Sequence, residues 1–308
     1  MMLIIFCLIT VGAGVALRVY TERLVHQAEA RYPPLGQFIN VEGVRLHYVS
    51  RGTGRPVVLV HGGGGSVYDW TMSVLDRVAR EYHVVAFDRP GFGYSERAAG
   101  GASIMTQARL IHTAVKALGI EKPVLVGHSR GGIIATAYAL QYPEDVAGII
   151  TLGSEFFGEG DRTPLPIRSV RVPVLGSLLT HTVFVPFGGV GVEGAVQESF
   201  SPETAAPPDY VAAYVSIMLR PKQLEAVADE QGCFASDMKQ LVPRYNEIVV
   251  PFVIVSGEED AHTPVAHGRR FHDVVRTSRL VELPNTGHEI MFKHPDMVTK
   301  WIANALAQ

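Results

Sequence analysis

Four uninterrupted apolar runs constrain this chain more than anything else in it: VVLV (Val57–Val60), HVVAF (His83–Phe87), VLVG (Val124–Gly127) and GIITLG (Gly148–Gly153). A strand with one wet face alternates apolar and polar residues, so a run that is apolar throughout calls for a strand covered on both faces. Between the runs lie amphipathic stretches, Trp70–Glu81, Ser103–Leu118 and Arg130–Tyr142. Two further runs, FVIVSG (Phe252–Gly257) and RLVEL (Arg279–Leu283), are separated by a helical Val265–Val275 and followed by a helical Glu289–Ala307. A hairpin around Glu42-Gly43 joins Phe38–Val41 to Val44–Ser50 ahead of them. Strand–helix alternation of this length predicts an α/β chain with a mostly parallel, doubly wound sheet.

The rhythm stops between Glu155 and Gln240, where Pro and Gly recur and no buried strand is evident. Helical patterns at Asp209–Leu219 and Pro221–Asp229 make this a mostly helical insertion lying over the sheet as a cap. The expected organisation is an apolar segment 1–20, a linker 21–34, a core in two parts, 35–154 and 241–308, and the cap 155–240 between them.

The apolar segment differs in kind from the rest. Met1 to Leu17 carries no charge before Arg18. As a helix it covers ~26 Å, close to a ~30 Å hydrocarbon core, and Val19 and Tyr20 can extend it. A retained single-pass anchor is expected. Arg18, Arg23 and Arg31 all follow the run and none precedes it, which places the remainder of the chain on the cytoplasmic side. The alternative is a cleaved signal peptide and export, but no basic residue opens the run and Gly14-Val15-Ala16 is a weak cleavage match.

A net charge of −3, with no Lys/Arg block, gives no basis for nucleic-acid binding. Cys7 and Cys233 are too far apart in sequence for a metal motif, and a disulfide framework is not expected. Two glycine clusters invite a nucleotide reading. GVGVEG (Gly189–Gly194) lies mid-cap with no strand before it and is expected to be a flexible loop; HGGGGS (His61–Ser66) lacks the Gly-Lys-Ser/Thr ending of a P-loop.

The chemistry gathers at the carboxyl ends of the expected strands, where ligands collect in an open parallel sheet. Ser129 stands in GHSRG, directly after Val124–Gly127 and opening the helix Arg130–Tyr142. The bare Gly-x-Ser-x-Gly pattern decides little; a strand-to-helix elbow holding a nucleophile is the reading its context favours. HGGGG follows Val57–Val60 and can point a backbone N–H, that of Gly63, at an oxyanion, with the N–H of Arg130 as second donor. SGEEDAHTP offers Glu258, Glu259 and Asp260 as an orienting acid, and LPNTGHE offers His288 as base. The order Ser, acid, His suits this architecture.

These residues carry a resemblance. The chain from about Pro34 to Gln308 resembles α/β-hydrolase-fold enzymes with a helical cap. HGGGGS resembles the family's oxyanion loop, DRPGFGYS (Asp88–Ser95) its Asp-x-x-Gly-x-Gly-x-Ser signature, and GEEDAHTP its Gly-x-x-Asp-x-x-x-Pro segment. That last likeness assigns the acid to Asp260. It implies a Ser129–His288–Asp260 triad needing no cofactor or metal. Epoxide hydrolases and haloalkane dehalogenases are similarly capped but carry aspartate at the elbow, so Ser129 argues against both. A serine nucleophile implies an acyl-enzyme, and hence a small, apolar carboxylic ester or related acyl substrate. The same triad and cap serve carbon–carbon bond hydrolases and cofactor-free perhydrolases, and some proteins of the fold are slow-turnover ligand receptors. The sequence separates none of these and leaves the oligomeric state open.

Other polar residues have plainer readings. Asp88 and Ser95 hold a loop, and His61 and His128 are packing or hydrogen-bonding neighbours of the site. His262 and His267 lack a third metal ligand, and His294 has no evident role. Tyr210 and Tyr214, one helical turn apart, are expected to pack in a core rather than line the cap's underside.

Overall fold

A computed structural model describes the chain apart from residues 99, 159–163, 204, 307 and 308, and apart from the side chains of residues 3, 4 and 7. Eight strands form one sheet: β1 (Gln37–Val41), β2 (Val44–Arg51), β3 (Pro56–Val60), β4 (His83–Phe87), β5 (Val124–His128), β6 (Gly148–Leu152), β7 (Phe252–Gly257) and β8 (Ser278–Leu283), in the order β1-β2-β4-β3-β5-β6-β7-β8. β1, β2 and β4 pair antiparallel, and every pairing from β4 through β3 to β8 is parallel.

Pleating explains the apolar runs. Along β3, Val58 and Val60 join the core on one face, and Val57 and Leu59 join that on the other. Helices α4 (Ile104–Ala117), α5 (Arg130–Gln141) and α12 (Ala266–Val274) supply the first core through residues such as Ile111, Ile134 and Phe271. The second face is covered by α2 (Val67–Thr71), α3 (Leu75–Val78), α13 (Ile290–Lys293) and α14 (Pro295–Leu306), through Trp70, Leu75, Ile290 and Trp301. The doubly wound sheet read from the sequence is present.

Two expected helices are broken. Trp70–Glu81 becomes α2 and α3: a Ser66/Asp69 capping box starts the first helix early, and Ser73 Oγ turns back to the Asp69 carbonyl at 2.5 Å. A side chain bonding back in this way competes with the helix ladder. Glu289–Ala307 divides at His294-Pro295, because proline disfavours helical geometry in the residue before it. Its expected last residue, Ala307, lies outside the described residues.

The insertion between β6 and β7 is mostly helical: α6 (Leu165–Val170), α7 (Leu175–Leu179), a π-helical turn Thr180–Phe184, α8 (Val185–Phe187), α9 (Gly189–Ser199), α10 (Pro208–Met218) and α11 (Pro221–Leu241). GVGVEG is the start of α9, not a loop. Each helical Gly costs up to ~1 kcal/mol against Ala, and burial of Val196 and Phe200 further along offsets this.

The expected linker 21–34 is corrected as well. One helix, α1, runs from Met2 to Arg31. Beyond the uncharged run, Thr21, Leu24, Val25 and Ala28 recur at helical spacing, and this half docks on the cap. Thr21 Oγ1 donates to the His181 carbonyl (2.6 Å) and Glu29 pairs with Arg220 (3.2 Å). Tyr32 then packs edge-on against Tyr68, and Pro33 O accepts from the Tyr68 hydroxyl. Among the described residues no single helix is long and apolar enough to cross a membrane; the expected span includes Leu3, Ile4 and Cys7, whose side chains lie outside them. A bent pair in the cap, Leu175–Phe187 with Gly189–Ser199 at 69°, reaches the required length and apolarity together.

Candidate active site

β5 ends at His128 and α5 begins at Arg130, so Ser129 alone makes the turn. Its φ of +49° is a region that a residue with a Cβ rarely occupies. The fold tolerates this because its neighbours have no side chain. A Cβ on Gly127 would run into the Gly131 carbonyl, and one on Gly131 would sit 2.6 Å from His61 O and closer still to Val60 O. The backbone is fixed from the sheet side by the Ser129 N–H donating to Leu152 O (2.8 Å). Ser129 therefore projects from the carboxyl edge of the sheet at the N-terminus of α5, where unpaired amides and the helix dipole favour negative charge.

Ser129 and His288 line one cavity of about 570 Å³ beneath the cap. The loop after β8 supplies His288, and the loop after β7 supplies Asp260 beside it. His288 Nδ1 lies 2.8 Å from Asp260 Oδ2. Asp260 also accepts from Thr263 Oγ1 (2.6 Å) and from the backbone N–H groups of His262 (2.9 Å) and Thr263 (2.8 Å). Burial opposes the charge on both partners, but their mutual contact outweighs it: Asp260 is held below the ordinary carboxylate range and His288 above the ordinary imidazole. A carboxylate bonded to Nδ1–H leaves Nε2 as the free basic nitrogen. Among the described residues the imidazole's side-chain bonds are on the Asp260 side, with none from Ser129; such contacts often tighten only when substrate binds.

The other acid candidates separate cleanly. Glu258 is exposed, while Glu259 accepts from the Thr286 N–H (2.9 Å) and so braces the loop that carries His288. His294 shares that task, with Nε2 2.9 Å from Thr286 Oγ1.

Gly63 and Arg130 both line the cavity with Ser129. The Arg130 N–H is the first of α5 and has no partner inside the helix. The glycine loop is held by the cap. From α11, Gln223 Nε2 donates to Gly64 O (2.9 Å) and Gly65 O (3.0 Å), and its Oε1 accepts from Gly93 N (2.9 Å). Two turns further on, Glu230 pairs with the buried Arg89, which also donates to Gln107 Oε1 and Gly62 O, both at 2.9 Å. Arg130 Nε lies 3.8 Å from Glu230, and its guanidinium stacks 3.5 Å from the centre of the Phe234 ring. Burial alone would raise the Glu230 pKa, but the two arginines hold it below the carboxylate range. Sequence reading missed this network. Its members are scattered along the chain, and only the fold brings them together.

Asp88 and Ser95 hold a loop, as read from the sequence. Asp88 binds His47 Nδ1 (2.7 Å), Val67 N (2.7 Å) and Tyr94 N (2.8 Å), and Ser95 Oγ donates to Asp88 O (2.6 Å). His61 and His128 are neighbours of the site: burial pushes each down to about 3, and His128 Nε2 donates to His288 O (3.1 Å). Among the described residues no cluster of His, Cys, Asp or Glu could hold a metal. Tyr210 and Tyr214 do more than pack, because both line the cavity. The Tyr214 hydroxyl donates to Gly63 O (3.2 Å), and Tyr210 packs on Phe200 and Phe292.

Asp69 and Glu289 were not singled out from sequence, yet both line the cavity. Burial pushes Glu289 up to about 7 and Asp69 well above the ordinary range, the Glu289 charge adding to the second shift. Glu289 Oε2 is buried with no hydrogen-bond partner among the described residues. The wall beside His288 is therefore one where a neutral carboxylic acid persists near pH 7.

An elbow serine, an acid-bound histidine and a glycine loop at the carboxyl edge of one sheet define a serine-type hydrolase class. The chain belongs to the family described as alpha/beta hydrolase fold, whose model matches residues 55–295, and it is an enzyme of the hydrolase class. Among curated proteins it is 28% identical over 288 residues to a 2-hydroxy-6-oxononadienedioate/2-hydroxy-6-oxononatrienedioate hydrolase of Klebsiella pneumoniae, covering 88% of this chain and 96% of that one. It is 25% identical over 280 residues to a 2-hydroxy-6-oxo-6-phenylhexa-2,4-dienoate hydrolase of Burkholderia cepacia, covering 87% and 94%. Among solved structures, an enol-lactonase from Burkholderia xenovorans superposes with a TM-score of 0.72 at 21% identity, over 88% of this chain and all of that one.

Proposed function

We propose that this enzyme uses Ser129 to cleave a carbon–carbon bond next to a ketone, through an acyl-enzyme. The observation that carries this reading is the match to 2-hydroxy-6-oxo-dienoate hydrolases over cap and core alike. Such a substrate contains no ester or amide link, so its hydrolysis breaks a carbon–carbon bond. In the proposed cycle His288 Nε2 takes the Ser129 proton as Oγ attacks the ketone carbonyl, and the Gly63 and Arg130 N–H groups stabilise the oxyanion. Collapse expels the carbon leaving group, whose electron pair takes up the proton from His288. Water, deprotonated by the same base, then releases the acid. Asp260 fixes the imidazole tautomer.

An ester substrate is the second reading, favoured by the apolar residues Ile133, Ile167, Val192, Val196 and Met218 in the cavity wall, which suit an apolar acyl chain. A direct comparison separates the two. Loss of dienolate absorbance from a 2-hydroxy-6-oxo-dienoate should proceed with the larger kcat/KM, and both activities should vanish in Ser129→Ala. Preference for p-nitrophenyl esters rising from acetate to medium chains, at ~0.8 kcal/mol per CH₂ buried, would replace the first reading with the second.

We also infer that the exposed apolar half of α1 is a bilayer anchor, with the catalytic domain on the cytoplasmic side. Ile5, Phe6, Leu8, Ile9 and Val11 are all exposed, and basic residues follow the run without preceding it. Full-length protein should stay with membranes through a high-salt wash. A mature soluble form beginning just after Ala16 would instead establish export.

A further inference from the structure

The cap carries apolar surface that the site does not use. From Val172 to Val192 the chain has no Asp, Glu, Lys or Arg. Within and beside this stretch Leu165, Val174, Leu178, Phe187 and Val190 are exposed, Phe187 at 68% and Val190 at 85%. Scattered exposed apolar residues need no explanation, but a succession on packed consecutive elements does. Two observations say what covers it. The bent pair Leu175–Phe187 and Gly189–Ser199 has the length and apolarity of membrane-embedded helix. The π-helical turn and α8 pack directly on α1, so the patch is held beside the apolar helix.

The same elements form part of the cavity's rim. Pro164, Gly191 and Ala195 line the cavity and are exposed, and Ile167 and Val192 line it from α6 and α9. We propose that the α6–α9 face of the cap is a lipid-docking wedge, inserted shallowly into the bilayer, and that the cavity mouth between α6 and α9 receives a lipophilic substrate from the membrane rather than from water. A helix pair laid in the interface buries its apolar face ~5–10 Å into the headgroup and acyl boundary, which needs no complete span. The wedge rests on the anchored reading of α1, so the test reads the two separately.

Tryptophan fluorescence suits the test because the native tryptophans, Trp70 and Trp301, are buried in the core. Full-length Phe187→Trp, Val190→Trp and Ala195→Trp are reconstituted into phosphatidylcholine vesicles with and without brominated acyl chains. Val249→Trp, on the exposed approach to β7 at the end of the sheet opposite the cap, is the control. Flotation reports the anchor. The Phe187→Trp and Val190→Trp signals should fall at least twofold in brominated vesicles, with Ala195→Trp quenched too and Val249→Trp unchanged. A chain that floats with no quenching at either 187 or 190 overturns the wedge and leaves the anchor standing. Quenching at 187 and 190 but not at 195 overturns membrane access to the mouth. A patch shielded from aqueous quencher yet untouched by brominated lipid, in a chain that self-associates, makes it an interface between copies and overturns the proposal. A chain that does not float overturns both readings.

Discussion

Glu230→Leu tests whether the cap is bound to the core by charge. Glu230 is 2% exposed, and its partner Arg89 is fully buried. Replacing Glu230 with an apolar residue of similar size leaves the Arg89 guanidinium in a dry interior without its anion, while Arg130, which lines the cavity, keeps the weaker attraction of Glu155 and Asp237. Removing one member of a buried pair typically costs ~3–5 kcal/mol, mostly through the stranded charge. Arg89 keeps Gln107 Oε1 and Gly62 O, and Arg130 keeps the Phe234 ring, which argues for the lower end, ~3 kcal/mol. Unfolding entropy near 2.1 cal/mol/K per residue scales to about 0.65 kcal/mol/K for 308 residues, so Tm should fall by ~5 °C. Intrinsic fluorescence of Trp70 and Trp301 at a fixed scan rate reads this directly. Glu230→Gln, which can still hydrogen-bond Gln107, should lie between the variant and wild type. Arg89→Met combined with Glu230→Leu should recover part of the loss, because one stranded cation is gone. A drop below 2 °C for Glu230→Leu would show that the network contributes no net stability, and the account of how the oxyanion loop is held would fail with it.

Two further outcomes follow from the site. The acid limb of the kcat/KM–pH profile should lie above the unperturbed histidine value of 6.5, because Asp260 holds the proton on His288 and activity disappears as pH falls through that raised value. Asp260→Asn should move the limb downward, as burial then dominates, and lower kcat by ~10⁴, whereas Glu258→Gln should change neither. Gly131→Ala should destabilise the fold by ~3 kcal/mol, the upper end for overpacking, since its Cβ meets rigid backbone oxygens, while Gly63→Ala, whose Cβ meets nothing within 4 Å, should melt like wild type; equal Tm values for the two would refute the steric account of the elbow.

What the sequence disclosed was local. Ser129 and Asp260 each follow a run buried on both faces, and His288 follows the half-buried edge run RLVEL, so the strand end fixes where each stands without knowledge of its partners. The glycines around Ser129 could be read because a crowded turn leaves room for nothing else. The cap was harder. GVGVEG looks like a loop by composition, and only its packing makes it a helix. The 21–31 stretch did carry a helical signal in Thr21, Leu24, Val25 and Ala28, masked by the loss of hydropathy at Arg18. Asp69 and Glu289 gave no signal, because their unusual protonation arises from burial under the cap, which no local pattern encodes.

The hydrogen bonds from Gln223 to the carbonyls of Gly64 and Gly65 bear on how such an enzyme could be redesigned. An insertion that joins the core at two covalent points suggests a part that could be exchanged between relatives to graft a new specificity. Here the donor chain would have to bring glutamine and glutamate at positions 223 and 230, or the recipient's glycine loop would lose its supports. A chimera lacking them should retain a well-folded sheet and a modifiable serine yet turn over slowly. Specificity and rate, usually sought in separate regions, are in this molecule inherited together through one helix.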